Sequence, residues 1–121
     1  MKIEFRVDSR VVALGVLEDN TTARDFATLL PVSLRLQDYD ATEKIADLPR
    51  ALTTGKEAQV STPVAGDISF YAPWGNLAIF YRDGVASEGL VRLGRLVSGI
   101  QALQHPGPLN VTISLAQPPH A

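Results

Sequence analysis

The sequence predicts a mainly β protein: a closed β-barrel of about eight strands capped by one or two short helices. Three observations lead there. Apolar residues recur with a period of two along most of the chain. One segment, Leu77 to Tyr81, is apolar at every position, as a strand covered on both faces requires. Only two short stretches switch to helical spacing. A barrel capped by helices accommodates all three and leaves no unpaired sheet edge.

Each element follows in order. Ile3, Phe5 and Val7 alternate with Lys2, Glu4 and Arg6, a half-buried first strand. Asp8-Ser9-Arg10 is a short polar connection, and in the second strand Val12, Leu14 and Val16 oppose Val11, Ala13 and Gly15. From Asn20 to Leu30 the spacing becomes helical, with Ala23, Phe26, Ala27 and Leu30 on one stripe. Thr22 and Asp25 approximate a capping box, with Asn20 or Thr21 as the alternative N-cap. Pro31 ends the helix, because it disfavours helical geometry in Leu30 and has no N–H.

Val32, Leu34 and Leu36 mark a third strand. Asp38 to Pro49 reads as irregular or briefly helical, anchored by Tyr39, Ile45 and Leu48. Arg50 to Gly66 reads as the least structured stretch, a long loop holding Lys56 and Glu57 that is either a lid or plainly solvated. Ile68, Phe70 and Ala72 oppose Ser69 and Tyr71 in the next strand, and Pro73-Trp74-Gly75-Asn76 turns it into Leu77–Tyr81. Leu90 to Val97 is a further strand, with Leu90, Arg92, Gly94 and Leu96 on one face. One or two helical turns follow to Gln104, His105-Pro106-Gly107-Pro108 breaks them, and Leu109, Val111, Ile113 and Leu115 form the closing strand. The chain of 121 residues is one domain over 1–117 with a frayed tail at 118–121.

Composition removes several function classes. The chain has no cysteine, which excludes a disulfide framework, thiol catalysis and cysteine-based metal sites. A net charge of −2 gives no electrostatic footprint for nucleic acid. No charged and then apolar leader opens the chain, and no apolar run approaches the ~20 residues that span a bilayer. The expectation is a cytoplasmic protein with no membrane partner, no nucleic-acid partner and no cofactor. His105 and His120 stand in Pro-rich ends without carboxylate company, so no metal site is expected.

Two segments resemble a known family. The hairpin followed by Thr22-Ala23-Arg24-Asp25-Phe26 is similar to the Thr-Ala-x-x-Phe element that opens the first helix of cyclophilins. The block from Gly66-Asp67-Ile68 to Phe80-Tyr81, with Glu43-Lys44-Ile45, Leu48-Pro49 and Gly89 to Gly94, resembles the small bacterial cyclophilin-like proteins. That resemblance covers nearly the whole chain. It implies an eight-stranded barrel closed by helices and, as its members are largely uncharacterised, little chemistry. True cyclophilins carry Phe-His-Arg after the first helix and then Gln-Gly-Gly-Asp. Neither segment occurs here; the corresponding strand is Val32-Ser33-Leu34-Arg35-Leu36-Gln37. The resemblance therefore implies a cyclophilin-like barrel without the usual prolyl-isomerase residues.

The candidate ligand-binding residues are Arg35, Glu43, Tyr71, Trp74, Asn76, Tyr81 and Arg92. Trp74, in a turn beside tyrosines, is a platform for an apolar or planar ligand; the plainer reading is that the aromatic residues fill the barrel and one of its ends. Arg35 and Arg92 stand in strand-like segments rich in apolar neighbours, and Arg92 interrupts the apolar face of its strand; such a charge is either in a structural ion pair (Arg92 with Glu43 or Asp67) or held for an anionic ligand. Glu43 is a lone carboxylate, more simply a surface partner than a ligand contact. Three functions follow. A binding module would take a small molecule or a peptide segment, with Tyr71, Trp74, Asn76 and Tyr81 lining the cleft. A weak prolyl isomerase would rely on Arg35. A homodimer would bury an outward apolar face such as Val11 and Ala13 beside Phe80.

Overall fold

A computed structural model describes residues 1–55 and 60–116. Lys56, Glu57, His120 and the expected tail at 118–121 lie outside the described residues. In chain order the elements are β1 (Lys2–Val7), β2 (Arg10–Leu17), α1 (Thr21–Ala27), β3 (Val32–Tyr39), β4 (Glu43–Asp47), β5 (Val60–Ser61), β6 (Asp67–Tyr71), β7 (Asn76–Phe80), β8 (Ser87–Glu88), β9 (Leu90–Ser98), α2 (Ile100–Gln104) and β10 (Leu109–Leu115). Eight strands close into a barrel in the order β1-β10-β3-β4-β7-β6-β9-β2, every pair antiparallel, and β5 pairs with β8 as a separate two-stranded sheet.

The period of two decides what is inside. Ile3 and Phe5, Leu34 and Leu36, Ile68 and Phe70, Leu77 and Ile79, and Val111 and Ile113 all enter one core. Ala23 and Phe26 of α1 and Leu103 of α2 enter the same core, so the helices close the barrel. Each such large side chain contributes roughly 1.5–3 kcal/mol by leaving water.

The start of α1 uses Asn20. Its Oδ1 accepts the Ala23 N–H at 2.8 Å, and its Nδ2 donates to the Arg92 carbonyl at 3.0 Å, tying the helix to β9. Asp25 does not complete a capping box. Its carboxylate receives both terminal nitrogens of Arg50, each at 2.9 Å, and the Thr53 N–H at 2.7 Å. Arg50 holds the Asp25 carboxyl well below the usual carboxylate range. The helix is shorter than expected. After Ala27 the chain tightens into i to i+3 bonds, Leu29 N–H to Phe26 and Leu30 N–H to Ala27, before Pro31.

Four expectations are corrected. The stretch from 38 to 49 is not irregular: it completes β3 and forms β4, whose inward positions are Lys44 and Ala46. A lysine on the inner face conceals the alternation. The long loop carries the two-residue strand β5. In β9, Ser69 pairs with Arg92 while Ile68 pairs with Gly94, so Leu93 is an extra residue. This bulge sends Leu93 into the core and puts Leu90 and Arg92 on a different face from Gly94 and Leu96. Finally, Val11, Ala13 and Phe80 form no shared outer face. Ala13 and Phe80 are buried, and β2 and β7 are not neighbours.

Lys44 is 0 % exposed. All three of its donors are used: Nζ reaches Asp38 Oδ1 at 2.7 Å, the His105 carbonyl at 2.9 Å and the Gly107 carbonyl at 2.6 Å. Asp38 also accepts the Tyr81 hydroxyl at 2.9 Å and the Gly107 N–H at 2.8 Å. The Lys44 bond, then the Gly107 N–H, brings the Asp38 carboxyl down to about 2. Burial, then Asp38, pushes the Tyr81 hydroxyl up to about 12. One cation thus joins β3, β4, the segment after β7 and the segment after α2. Lys44→Ala strands Asp38 and two carbonyls, and is expected to cost about 2–3 kcal/mol in urea unfolding, below the fully buried range because Asp38 remains partly open to water. A loss below about 0.5 kcal/mol would contradict this network.

Candidate functional site

The outer wall of β4, β7, β6 and β9 is itself apolar. Positions alternate outward as Glu43, Ile45 and Asp47 on β4, and as Asn76, Ala78 and Phe80 on β7. Register places Glu43 beside Phe80, Ile45 beside Ala78 and Asp47 beside Asn76. Next across the sheet, Ser69 stands opposite Ala78 and Tyr71 opposite Asn76, and Leu90 pairs with Tyr71. Ala78, Phe80 and Leu90, flanked by Ile45 and Tyr71, form a second apolar cluster outside the barrel. That cluster is why β7 is buried at all five positions.

Three connections rise around this wall. The β3–β4 turn places Asp40 and Ala41 at positive φ, 54° and 47°, so that Tyr39 and Glu43 become cross-strand neighbours. The β6–β7 turn reverses at Gly75, whose φ of 68° belongs to the left-handed region that favours glycine, and holds Trp74 out at 56 % exposure. The chain from Asp83 to Ser87 forms the third side. Between them lies a cleft of about 330 Å³, lined by Tyr39, Asp40, Thr42, Glu43, Tyr71, Trp74, Asn76, Phe80, Asp83, Gly84, Val85, Ser87 and Leu90.

Trp74 stands edge-to-face with two tyrosines, 5.4 Å from Tyr39 and 5.5 Å from Tyr71 between ring centroids. Asn76, 3 % exposed, leaves its Oδ1 with no hydrogen-bond partner among the described residues. Burial, and then the charge of Asp40, pushes the Glu43 carboxyl up to about 7. Among the described residues lining the cleft, the charged ones are Asp40, Glu43 and Asp83. Among the described residues none of the three takes part in an ion pair.

Of the residues singled out from sequence, the structure brings Glu43, Tyr71, Trp74 and Asn76 together here. Arg35 is exposed on the outer wall of β3, in a shallow groove with Ser33, Gln37 and Asp47. Tyr81 turns to the Lys44–Asp38 group. Arg92 lies between Glu18 at 2.9 Å and Asp67 at 3.5 Å, so its charge is met within the protein, by one of the carboxylates considered from sequence and one that was not. His105 contributes its carbonyl to Lys44, and no group of three metal-ligating side chains occurs among the described residues. Sequence reasoning missed Tyr39, Asp40 and Asp83. The available signal was parity: with β4 read as a strand after a tight turn, Tyr39 and Glu43 fall on one side.

The model of the cyclophilin-like family matches residues 5–114 of the chain. Among solved structures, the solution structure of the hypothetical protein AF2241 from Archaeoglobus fulgidus is similar, with a TM-score of 0.72 and 17 % identity over 96 % of this chain and 95 % of that one. At that identity the likeness is one of fold. No curated protein matches. No helix among the described residues is long and apolar enough to cross a membrane.

The raised carboxyl of Glu43 predicts a pH-dependent stability. The folded state holds this proton more tightly than the unfolded chain, from 4.5 up to about 7, so stability falls as pH rises through that window and stays lowered above it. Glu43→Gln is expected to match the wild type near pH 4 and to exceed it by roughly 1 kcal/mol near pH 8, a figure discounted for the partial exposure of Glu43. Urea unfolding at the two pH values measures this; equal stability at both would contradict the burial of Glu43.

Proposed function

The chain belongs to the cyclophilin-like family, and on that premise we propose that it is a binding module whose aromatic cleft takes a small molecule or a peptide segment. One observation carries the reading: a large exposed aromatic, Trp74, is fixed between Tyr39 and Tyr71 over a floor of buried Phe80, Leu90 and Asn76. An exposed Trp loses water contact readily when a ligand covers it, and the rings need little ordering on binding. The floor is held by strands that are covered on their other face by the barrel core, so the cleft is preformed.

This reading is preferred over prolyl isomerisation. The isomerase reading relies on Arg35 donating to a prolyl nitrogen, and Arg35 faces a different groove from the aromatic cleft. It is preferred over assembly because Val11, Ala13 and Phe80 make no common surface.

A ligand screen by amide NMR tests the binding reading. Binders are expected to shift the Trp74 indole together with the amides of Tyr39, Asp83 and Ser87. Saturating screens of fragments and peptides that move none of these would reject it. A protease-coupled assay over a panel of X–Pro peptides separates the two activities. Rates equal to the uncatalysed isomerisation are expected, and a clear acceleration would replace binding with catalysis.

A further inference from the structure

The chemistry of the cleft lining narrows the ligand. Among the described residues no lysine or arginine lines the cleft, while three carboxyl groups do. Two neighbouring cations are already committed: Lys44 points to the opposite face of β4 and binds Asp38, and Arg92 lies between Glu18 and Asp67; Arg82, beside Asp83 in the chain, is exposed and does not line the cleft. A cluster of carboxyl groups alone says little, because such groups can simply stand in water. Two further features distinguish this one. The carboxyl groups share the cleft with the ring trio of Tyr39, Trp74 and Tyr71, and ring faces attract cations within about 6 Å of their centroids. The cleft is also lined by Asn76, almost wholly buried, whose carbonyl oxygen has no donor among the described residues.

Each feature asks for the same kind of group. Carboxylates ask for positive charge, ring faces ask for a cation whose water is easily displaced, and the unpaired Asn76 oxygen asks for an N–H. The apolar floor of Phe80 and Leu90 asks for a hydrocarbon stem beside that head. We propose that the cleft receives an alkylammonium group, its charge met by Asp40, Glu43 and Asp83 at the Phe80 end of β7 and its stem lying along the Tyr39, Trp74 and Tyr71 rings, with Asn76 Oδ1 at the other end of that strand left for a second N–H of a longer ligand. This rests on the binding reading above and specifies its ligand class. An amine-bearing small molecule and a lysine side chain of a peptide present the same head and stem.

The full chain is titrated with n-butylammonium, with n-butanol as a neutral analogue, and with an acetylated and amidated Gly-Lys-Gly peptide, following amide and Trp74 indole signals by NMR. Butylammonium is expected to shift the Trp74 indole saturably and at least tenfold more tightly than butanol. The double variant Asp40→Asn with Asp83→Asn is expected to weaken it about tenfold with an unchanged spectrum elsewhere. Asn tolerates the positive φ at position 40, and its side-chain carbonyl at position 83 keeps the bond from the Ala65 N–H. Affinity should also rise with pH through about 7, as Glu43 ionises. Around that carboxyl stand Tyr39, Asp40, Tyr81 and Asp83, none of them cationic, and Arg82, whose N–H binds the Thr42 carbonyl, with its side chain exposed.

Tighter binding of the lysine peptide than of butylammonium would assign the head to a peptide, and the reverse order to a small amine; either supports the proposal. Equal shifts with butanol and butylammonium, or shifts with neutral screen compounds alone, would overturn the cation while leaving the binding cleft standing. Silence of Trp74 toward the amines and the whole screen would overturn both.

Discussion

Moving an ammonium group out of water costs several kcal/mol unless every donor finds an oxygen, and Lys44 places one wholly inside the barrel. Its three bonds, to Asp38 and to the carbonyls of His105 and Gly107, meet that requirement. The arrangement also fixes β4. Strand side chains alternate, so Lys44 inward means Glu43, Ile45 and Asp47 outward. A slip of one residue would carry two carboxylates into the core and the ammonium into water. The outer wall, and with it the cleft, depends on this single assignment of faces.

The wall then serves two layers at once. Leu77 and Ile79 fill the barrel, while Ala78 and Phe80 support the outer cluster with Leu90. A strand covered on both faces is a rigid platform, and the groups around the cleft stand on turns anchored to it. Trp74 follows from the four-residue reversal at Gly75, and Asp83 is tethered by accepting the Ala65 N–H at 2.9 Å. The two residue layers explain why the cleft combines apolar rings with carboxyl groups. Tyr39, Tyr71, Phe80 and Leu90 come from strands, whereas Trp74, Asp40 and Asp83 come from connections.

Much of the barrel was legible because most strands obey the period of two in their apolar residues. β1, β3 and β10 alternate cleanly, and Leu77 to Phe80 announces burial on both faces. β4 was illegible for a physical reason: its inward side carries a lysine and an alanine, and hydropathy sees only a charged segment. The bulge at Leu93 concealed the face of Arg92, since a constant period carries it across to Gly94 and Leu96. Four of the candidate residues meet in the cleft because Tyr71, Trp74 and Asn76 lie in one hairpin and Glu43 pairs with its second strand. Arg35 and Tyr81 could not be placed from local pattern. Arg35 is outward on a strand beyond the cleft, and the direction of Tyr81 is set by Asp38, far away in sequence. The acidity of the cleft was hidden for a similar reason: Arg35 and Arg92 read as its polar groups until the fold sent them elsewhere.

The central claim is that the inward anchoring of Lys44 presents Glu43 to a partly enclosed cleft next to Asp40, where its charge is disfavoured until a cation arrives. The carboxyl-carbon NMR signal of Glu43, followed against pH in the unliganded protein, tests this at the atom concerned. The account predicts a midpoint of about 7. A midpoint at the ordinary 4.5 would mean that the carboxyl stands in open water, and the cleft described here would not exist in that form.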